Sequence, residues 1–277
     1  MSTLQQQLEA LIQIHTNEQL STMIQLLDDD GITPPSVNTG EYQAFCAIVS
    51  RIFSDSTISS SKKVEFGEKL NKWGDPRLVS PSADEYWASV DLEHYELQVG
   101  RNLVTIKEWK AFLESGYSDE SNWTESGLAW KAEKRPTWTE LASSEESRKF
   151  LFDNQPVVGV CWYEAQAYAT ANKARLMSFS ERLLIYRGTE KRPYPWGEWI
   201  QGRSNTQEEG LEKPCAVGLY NLDCTPEGIY DLAGNVAEWT EDEDETKRVI
   251  HPGSWNIGSM GAWCKASALY SAAARTG

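Results

Sequence analysis

The chain has 277 residues, 12 tryptophans and a formal net charge of −15. That size and aromatic content suffice for one large domain and a small one, while the acidic balance opposes binding to phosphate backbones, which need Lys and Arg to neutralise them, so nucleic acid is not an expected partner. No run of roughly 18 apolar residues is present to span a bilayer, and the start, Met1-Ser2-Thr3-Leu4, lacks the basic-then-apolar pattern of a secretion signal, so the expected location is the cytoplasm.

Residues 1–79 read as a helical module. Leu4, Leu8, Leu11 and Ile12 recur at spacings of three and four, and a second segment carries Leu20, Met23, Ile24, Leu26 and Leu27 before Asp28-Asp29-Asp30-Gly31 and Pro34-Pro35 stop it. A third segment carries Phe45, Ile48, Val49, Ile52 and Phe53; a fourth opens after Ser59-Ser60-Ser61, carries Val64, Phe66 and Leu70, and ends at Gly74-Asp75-Pro76. Such a bundle either recruits a protein partner or caps the larger domain, and amphipathic stripes serve both. Ser80-Pro81-Ser82-Ala83-Asp84 is the expected linker.

Residues 85–277 have a different texture, with frequent Trp and Tyr, scattered Gly and short apolar runs, which suits a loop-rich α+β domain with an aromatic core. Val99 to Ile106 reads as extended, with Thr105 capping a helix that carries Trp109, Phe112 and Leu113. Residues 157–161 read as a buried strand or turn leading into a helix from Trp162, and a further helix is expected from Ser180 to Arg187 with Ser180 as its cap. Pro193-Tyr194-Pro195-Trp196-Gly197 excludes helix, because two prolines fix the backbone and remove donors. The acidic run Glu238 to Glu245 reads as a solvated loop or as an attractant for a cationic ligand.

Cys46, Cys161, Cys215, Cys224 and Cys264 are odd in number and show no CxxC spacing, so free thiols are expected. His15, His94 and His251 are mutually distant in sequence and offer no multi-histidine metal site.

Six segments, in order, then carry a resemblance: Tyr95 to Tyr117 (YELQVGRNLVTIKEWKAFLESGY), Gln155 to Ala169 (QPVVGVCWYEAQAYA), Arg175 to Gly188 (RLMSFSERLLIYRG), Tyr194 to Trp199 (YPWGEW), Gly228 to Thr240 (GIYDLAGNVAEWT) and Pro252 to Trp255 (PGSW). This wording resembles the formylglycine-generating-enzyme (sulfatase-modifying factor) family, a variant of the C-type lectin fold with little regular secondary structure. Departures are Met177-Ser178 where that family has Pro-Thr, Leu103 where it has Pro, and no Met-Gly strand motif at the N-terminal side. The family's closing strand with Gly-Phe-Arg is not seen before Gly277.

The resemblance implies an enzyme that oxidises a substrate cysteine with two cysteines of its own, placed after the Gly-Ser-aromatic motif. Ile257 and about Ala262 stand at those positions, Cys264 is the lone thiol there, and no neighbouring His or Lys-His arrangement activates it. No copper or iron is therefore expected, and no catalytic residue is assigned. The tail instead resembles the variable proteins of diversity-generating retroelements, which display a diversified C-terminal surface on this fold; the candidate variable region is about 253–277. Its opening Gly-Ser-Trp-Asn, the Cys264-Lys265-Ala266-Ser267 segment and Ala274-Arg275-Thr276 carry that resemblance. Ile257, Gly258, Ser259, Met260, Ala268, Leu269, Tyr270 and Ser271 are compatible with adenine-directed mutagenesis of Asn codons, and with Asn256 and Trp263 they form the candidate ligand-binding set. Independently, Ile257, Met260, Trp263, Leu269 and Tyr270 crowd a segment poor in charge, the composition of a recognition surface. The alternative is that some of them, and Trp255 above all, are core.

The resemblance also implies structural calcium. Asp231 and Glu238 would supply carboxylates with carbonyls from Gly234 and Val236; Asn205 and Glu209 would supply side chains with carbonyls from Thr206 and Leu211; the alternative is that Asp231 and Asn235 cap turns and Glu238 pairs with a basic residue. The leading expectation is a non-catalytic protein that binds an unknown protein or other macromolecule at its C-terminal surface. The competing ones are an oxidative thiol- or cysteine-modifying enzyme and an acidic structural or regulatory subunit.

Overall fold

A computed structural model describes residues 3–11, 17–92, 95–133, 138, 143, 145, 147 and 150–271. His15, His94, Ile12 and the Ala274-Arg275-Thr276 portion of the tail lie outside these. The chain divides into two compact units, Met1–Val79 and Ser80–Gly277.

In the first unit, α1 (Thr3–Leu11), α2 (Asn17–Asp28), α3 (Gly40–Ser54) and α4 (Ser60–Leu70) follow the apolar spacing read from the sequence. Helix α1 packs on α3 and α2 on α4. Leu8, Leu20, Met23, Leu27, Ile48, Ile52, Phe66 and Leu70 are fully buried. Burying that much apolar surface is what holds short helices in place, since none is long enough to persist alone. Thr39 opens α3 by accepting the Tyr42 N–H on its hydroxyl at 3.1 Å. The buried Lys63 ammonium, pushed below its usual pKa by desolvation, donates to the Phe53 carbonyl at 2.9 Å.

The second unit opens with an antiparallel hairpin of β1 (Trp87–Asp91) and β2 (Glu96–Gly100), in register from Trp87 opposite Gly100 to Asp91 opposite Glu96. The extended segment predicted from Val99 is strand only to Gly100, and Thr105 then caps α5 (Ile106–Ser115) through a reciprocal box with Glu108. Helices α6 (Glu125–Glu133) and α7 (Trp162–Ala171) follow, with α7 against α5. Between them Trp109, Phe112, Tyr117, Trp123 and Tyr168 form an aromatic core, ring centroids 4.9–5.9 Å apart. Residues 157–161 form no regular strand; Pro156 bridges Thr105, and Val158, Val160 and Cys161 are buried.

Helix α8 (Phe179–Arg187) begins earlier than expected. Its cap is Ser178, not Ser180, because Ser178 stands three residues before Glu181 and the two close a reciprocal box. After a long loop region come β3 (Glu238–Asp244), β4 (Lys247–His251), the single-turn α9 (Ser259–Ala262) and β5 (Ala268–Ser271), with sheet order β3-β4-β5, antiparallel throughout. The acidic run is thus strand rather than loop. Trp239 and Thr240 are buried, Asp242 receives the Phe179 N–H at 2.6 Å at the start of α8, and Glu243 pairs with Arg248 at 2.9 Å.

Candidate functional site

The segment from Ser254 to Ser271 leaves the core after β4 and returns as β5. Gln207 N–H donates to the Ile257 carbonyl at 3.1 Å, and Glu208 Oε1 accepts the Ser259 N–H at 2.7 Å. Tyr194 Oη donates to the Ser259 carbonyl at 3.0 Å, Tyr186 Oη donates to the Ala262 carbonyl, and the Cys264 N–H donates to the Pro193 carbonyl at 3.1 Å. His251 completes the set. Burial pushes its pKa well below the ordinary imidazole value, so it is neutral, and the Nε2–H donates to the Trp263 carbonyl at 3.1 Å while Nδ1 accepts the Gly253 N–H at 3.3 Å. Apart from the Gly253 bond, which fixes the His251 ring, each of these grips a backbone atom of residues 257–264.

The side chains point elsewhere. Ile257 is 39% exposed, Met260 77%, Trp263 37%, Leu269 43% and Tyr270 41%. Asn256 is exposed, with Oδ1 accepting from Ser254 Oγ at 2.8 Å, and Gly258 and Ser259 are half-buried. The ten predicted residues separate into two groups. Asn256 to Trp263 form the loop held by Tyr186, Tyr194, Glu208 and His251; Ala268, Leu269, Tyr270 and Ser271 form β5, paired with Ile250, Val249, Arg248 and Lys247. Within β5 successive side chains alternate between faces. Ala268 packs on the Trp162–Trp239–Ile250 cluster and Tyr270 meets the Trp239 ring at 6.4 Å, so Leu269 points to the opposite side. Trp255, expected as core, is half-buried and meets the Phe150 ring in a tilted contact at 6.0 Å.

The anchoring residues Tyr186, Tyr194, Glu208 and His251 were not singled out from sequence. Tyr194 lies inside the YPWGEW motif, and its ring joins Trp196 and Trp199 at centroid distances of 5.6 and 5.0 Å, which fixes the phenol toward the loop.

The five cysteines are free thiols. Cys264 is buried and its thiol is raised above its ordinary pKa by desolvation; Cys161 is pushed up to about 12 by burial, with the Glu164 charge adding to it. Cys264 has Arg187, Lys265 and Arg182 near it, but burial outweighs them, and neither thiol has the accessible setting that makes a thiolate.

The two calcium sets differ. In the first, Asp231 sits at a left-handed φ of 59° and its Oδ2 accepts the Gly218 N–H at 2.7 Å. Glu238 Oε1 is held by Arg182, whose Nη2 lies 2.6 Å and Nε 3.2 Å away, and the same guanidinium donates to the Leu232 carbonyl. This set does not fit a calcium ion. Just beyond it lies Asp223, fully buried and pushed up to about 7 by desolvation, accepting from Ser204 Oγ at 2.5 Å and Ala233 N–H at 3.1 Å. In the second set, Asn205 Nδ2 donates to the Lys213 carbonyl at 3.0 Å while its buried Oδ1 has no hydrogen-bond donor among the described residues. An orphaned oxygen of this kind suits a hard cation, and the Thr206 and Leu211 carbonyls with Glu209, whose Oε2 accepts from Tyr220 Oη at 3.2 Å, would complete the set. Among the described residues no three His, Cys, Asp or Glu side chains converge as a metal cluster, and no helix is long and apolar enough to cross a membrane.

The family model of the sulfatase-modifying factor enzyme 1-like domain matches residues 80–277, and the chain belongs to that family. The chain is 29% identical over 156 residues to hercynine oxygenase of Mycolicibacterium thermoresistibile, covering 52% of this chain and 35% of that protein. It is 31% identical over 177 residues to the inactive C-alpha-formylglycine-generating enzyme 2 of Bos taurus, covering 56% and 58%. It therefore spans about a third to three-fifths of the length of these relatives. Among solved structures, PvdO from Pseudomonas aeruginosa superposes with a TM-score of 0.49 at 19% identity, over 65% of this chain and 77% of that one. Treponema denticola variable protein 1 does so with 0.45 at 16%, over 65% and 81%.

Proposed function

We propose that this chain is a non-catalytic binding protein that presents the loop 256–263 and strand β5 to a protein or other macromolecular ligand. The observation that carries the reading is the division of labour in the loop. Backbone atoms of residues 257–264 make the bonds to the scaffold, while Ile257, Met260 and Trp263 are left exposed. A carbonyl or N–H belongs to every residue type except the missing N–H of Pro, so such a loop tolerates exchange of its side chains, as a diversified surface requires. Exposed Trp and Tyr give large contact area at small entropic cost, and Met adds an adaptable apolar contact. The buried, unactivated thiol of Cys264 and the lack of a second cysteine beside it support a role without oxidation chemistry. Two relatives carry the word inactive in their names, whereas others are an oxygenase and a formylglycine-generating enzyme, so activity is part of the test.

The helical unit is read as a coupling or oligomerisation module. The set of Asn205, Thr206, Glu209 and Leu211 is read as a structural calcium position, supported by the orphaned Asn205 oxygen.

The test has two arms. A library randomised at positions 257, 260, 263, 269 and 270 is selected against a model protein such as hen lysozyme. Binders whose melting temperatures stay near that of the parent are expected, and a library that yields only unfolded variants overturns the reading. In the second arm, oxygen uptake is followed with copper or iron and a cysteine peptide; turnover that disappears in Cys264→Ser would establish the enzyme instead. A near-copy of the 3′ coding end that differs at adenines, beside a reverse transcriptase, would add that the surface is diversified in nature.

A further inference from the structure

We infer that Arg182 supplies from within the chain the positive charge that a metal ion would bring to Asp231, Gly234, Val236 and Glu238, so that this set is closed to calcium and the loop above it is ordered without metal. This goes beyond the binding reading and does not depend on it. The Arg182 side chain is 3% exposed and Glu238 24%, so the pair is largely removed from water, at an N–O distance of 2.6 Å. A guanidinium keeps its proton under all ordinary conditions, so the site holds a permanent cation.

Calcium needs six to eight oxygens at about 2.3–2.6 Å. Here Glu238 Oε1 receives two N–H groups of Arg182, the Leu232 carbonyl receives a third bond from the same guanidinium, and Asp231 Oδ2 receives the Gly218 N–H. An ion added beside a buried guanidinium would meet a like charge, with one oxygen of each carboxylate, Glu238 Oε1 and Asp231 Oδ2, already holding N–H groups.

The internal cation also reaches the loop that carries the exposed side chains. Its Cζ lies 5.5 Å from the Tyr186 ring centroid, and Tyr186 Oη donates to the Ala262 carbonyl. Arg182, Tyr186 and Ala262 thus form a continuous path of contact from the buried ion pair to the loop. A metal-dependent version of this support would make the loop sensitive to chelation; a covalently attached cation does not.

The experiment uses the full chain and calcium itself. Equilibrium dialysis with radioactive calcium counts ions bound by the parent, Glu238→Gln, Asp231→Asn and Asn205→Ala, and thermal unfolding of each is compared in millimolar calcium and in excess chelator. The expected result is that Glu238→Gln and Asp231→Asn bind the same number of ions as the parent, and that Glu238→Gln lowers the melting temperature equally in calcium and in chelator. Asp231→Asn keeps an acceptor for the Gly218 N–H and tolerates the left-handed backbone, so it remains informative if Glu238→Gln does not fold. Loss of one bound ion in either carboxylate variant, with the parent number retained in Asn205→Ala, would overturn the inference. Calcium lost only in Asn205→Ala, or no calcium bound by the parent, supports it.

Discussion

Tyr186 donates its phenolic hydroxyl to the backbone carbonyl of Ala262, so a fully buried ring holds an exposed loop by an atom that does not depend on which residue stands there. Tyr186→Phe keeps the packing and removes only that bond. The Ala262 carbonyl then loses its donor at a buried position, a cost of about 1–3 kcal/mol. Urea denaturation should show that loss, and amide exchange should quicken at residues 257–264 before the rest of the unit. Uniform exchange would mean that the loop is held by something else.

Two tryptophans should behave oppositely. Trp109 is 1% exposed and contacts Phe112 at 5.1 Å and Tyr168 at 5.9 Å, so Trp109→Ala opens a cavity costing about 3–5 kcal/mol. Trp263 offers its carbonyl to His251 and is 37% exposed, so Trp263→Ala should stay within about 1 kcal/mol of the parent while removing ligand contact. Equal losses in a denaturant titration would move Trp263 into the core and end the surface reading.

Beneath the loop two glycines are set by space rather than by turn geometry. A Cβ on Gly234 would lie 2.5 Å from the Asn205 carbonyl oxygen and against Ser204 Oγ; one on Gly253 would strike the Ala233 carbonyl oxygen and come within 2.9 Å of His251 Cε1. Backbone oxygens cannot rotate aside, so Gly234→Ala and Gly253→Ala should each cost about 1–3 kcal/mol, at the upper end of that range. Gly258→Ala meets only side-chain ends, Glu208 Oε1 at 3.2 Å and Gln207 Oε1 at 3.7 Å, and should be nearly neutral. The ranking of melting temperatures among these three variants checks the claim that the scaffold is rigid where the loop is permissive.

What the sequence made legible follows the range of the forces involved. The Thr105 cap and the four N-terminal helices depend on residues three or four apart and are legible in the sequence, while the return bond from Glu108 that closes the box is seen only in the structure. Ser178 carried the same signature with Glu181 but was passed over for Ser180, two residues nearer the apolar run. The acidic run was misread because its composition favours solvent, whereas its fate was decided by Trp239 and by partners far along the chain: Glu238 finds Arg182 across 56 residues, and Asp242 finds the Phe179 N–H across 63. Likewise Tyr186 reaches Ala262 across 76 residues. No local pattern announces such pairs, so the exposed apolar residues were visible in the sequence while their supports were not.

A pH dependence follows from Glu181. The Arg175 guanidinium, 2.6 Å away, is the main cause that draws its carboxyl down to about 2, with the Ser178 N–H and the Tyr95 hydroxyl also donating to it. In the unfolded chain a glutamate titrates near 4.3. The folded value is the lower one, so the stabilisation is present above about pH 4.3 and is lost as pH falls from there through about 2. Arg175 is half exposed, so solvent screening reduces the effect to something on the order of 1–2 kcal/mol. Glu181→Gln removes the titrating group while keeping an oxygen to accept the Ser178 N–H. Melting temperatures measured from pH 5 to pH 2 should therefore fall more steeply in the parent than in the variant, although both carry the same remaining acids. Parallel curves would mean that the Arg175–Glu181 pair contributes nothing to the start of α8, and that the Ser178 cap alone fixes the helix on which Arg182 and Tyr186 stand.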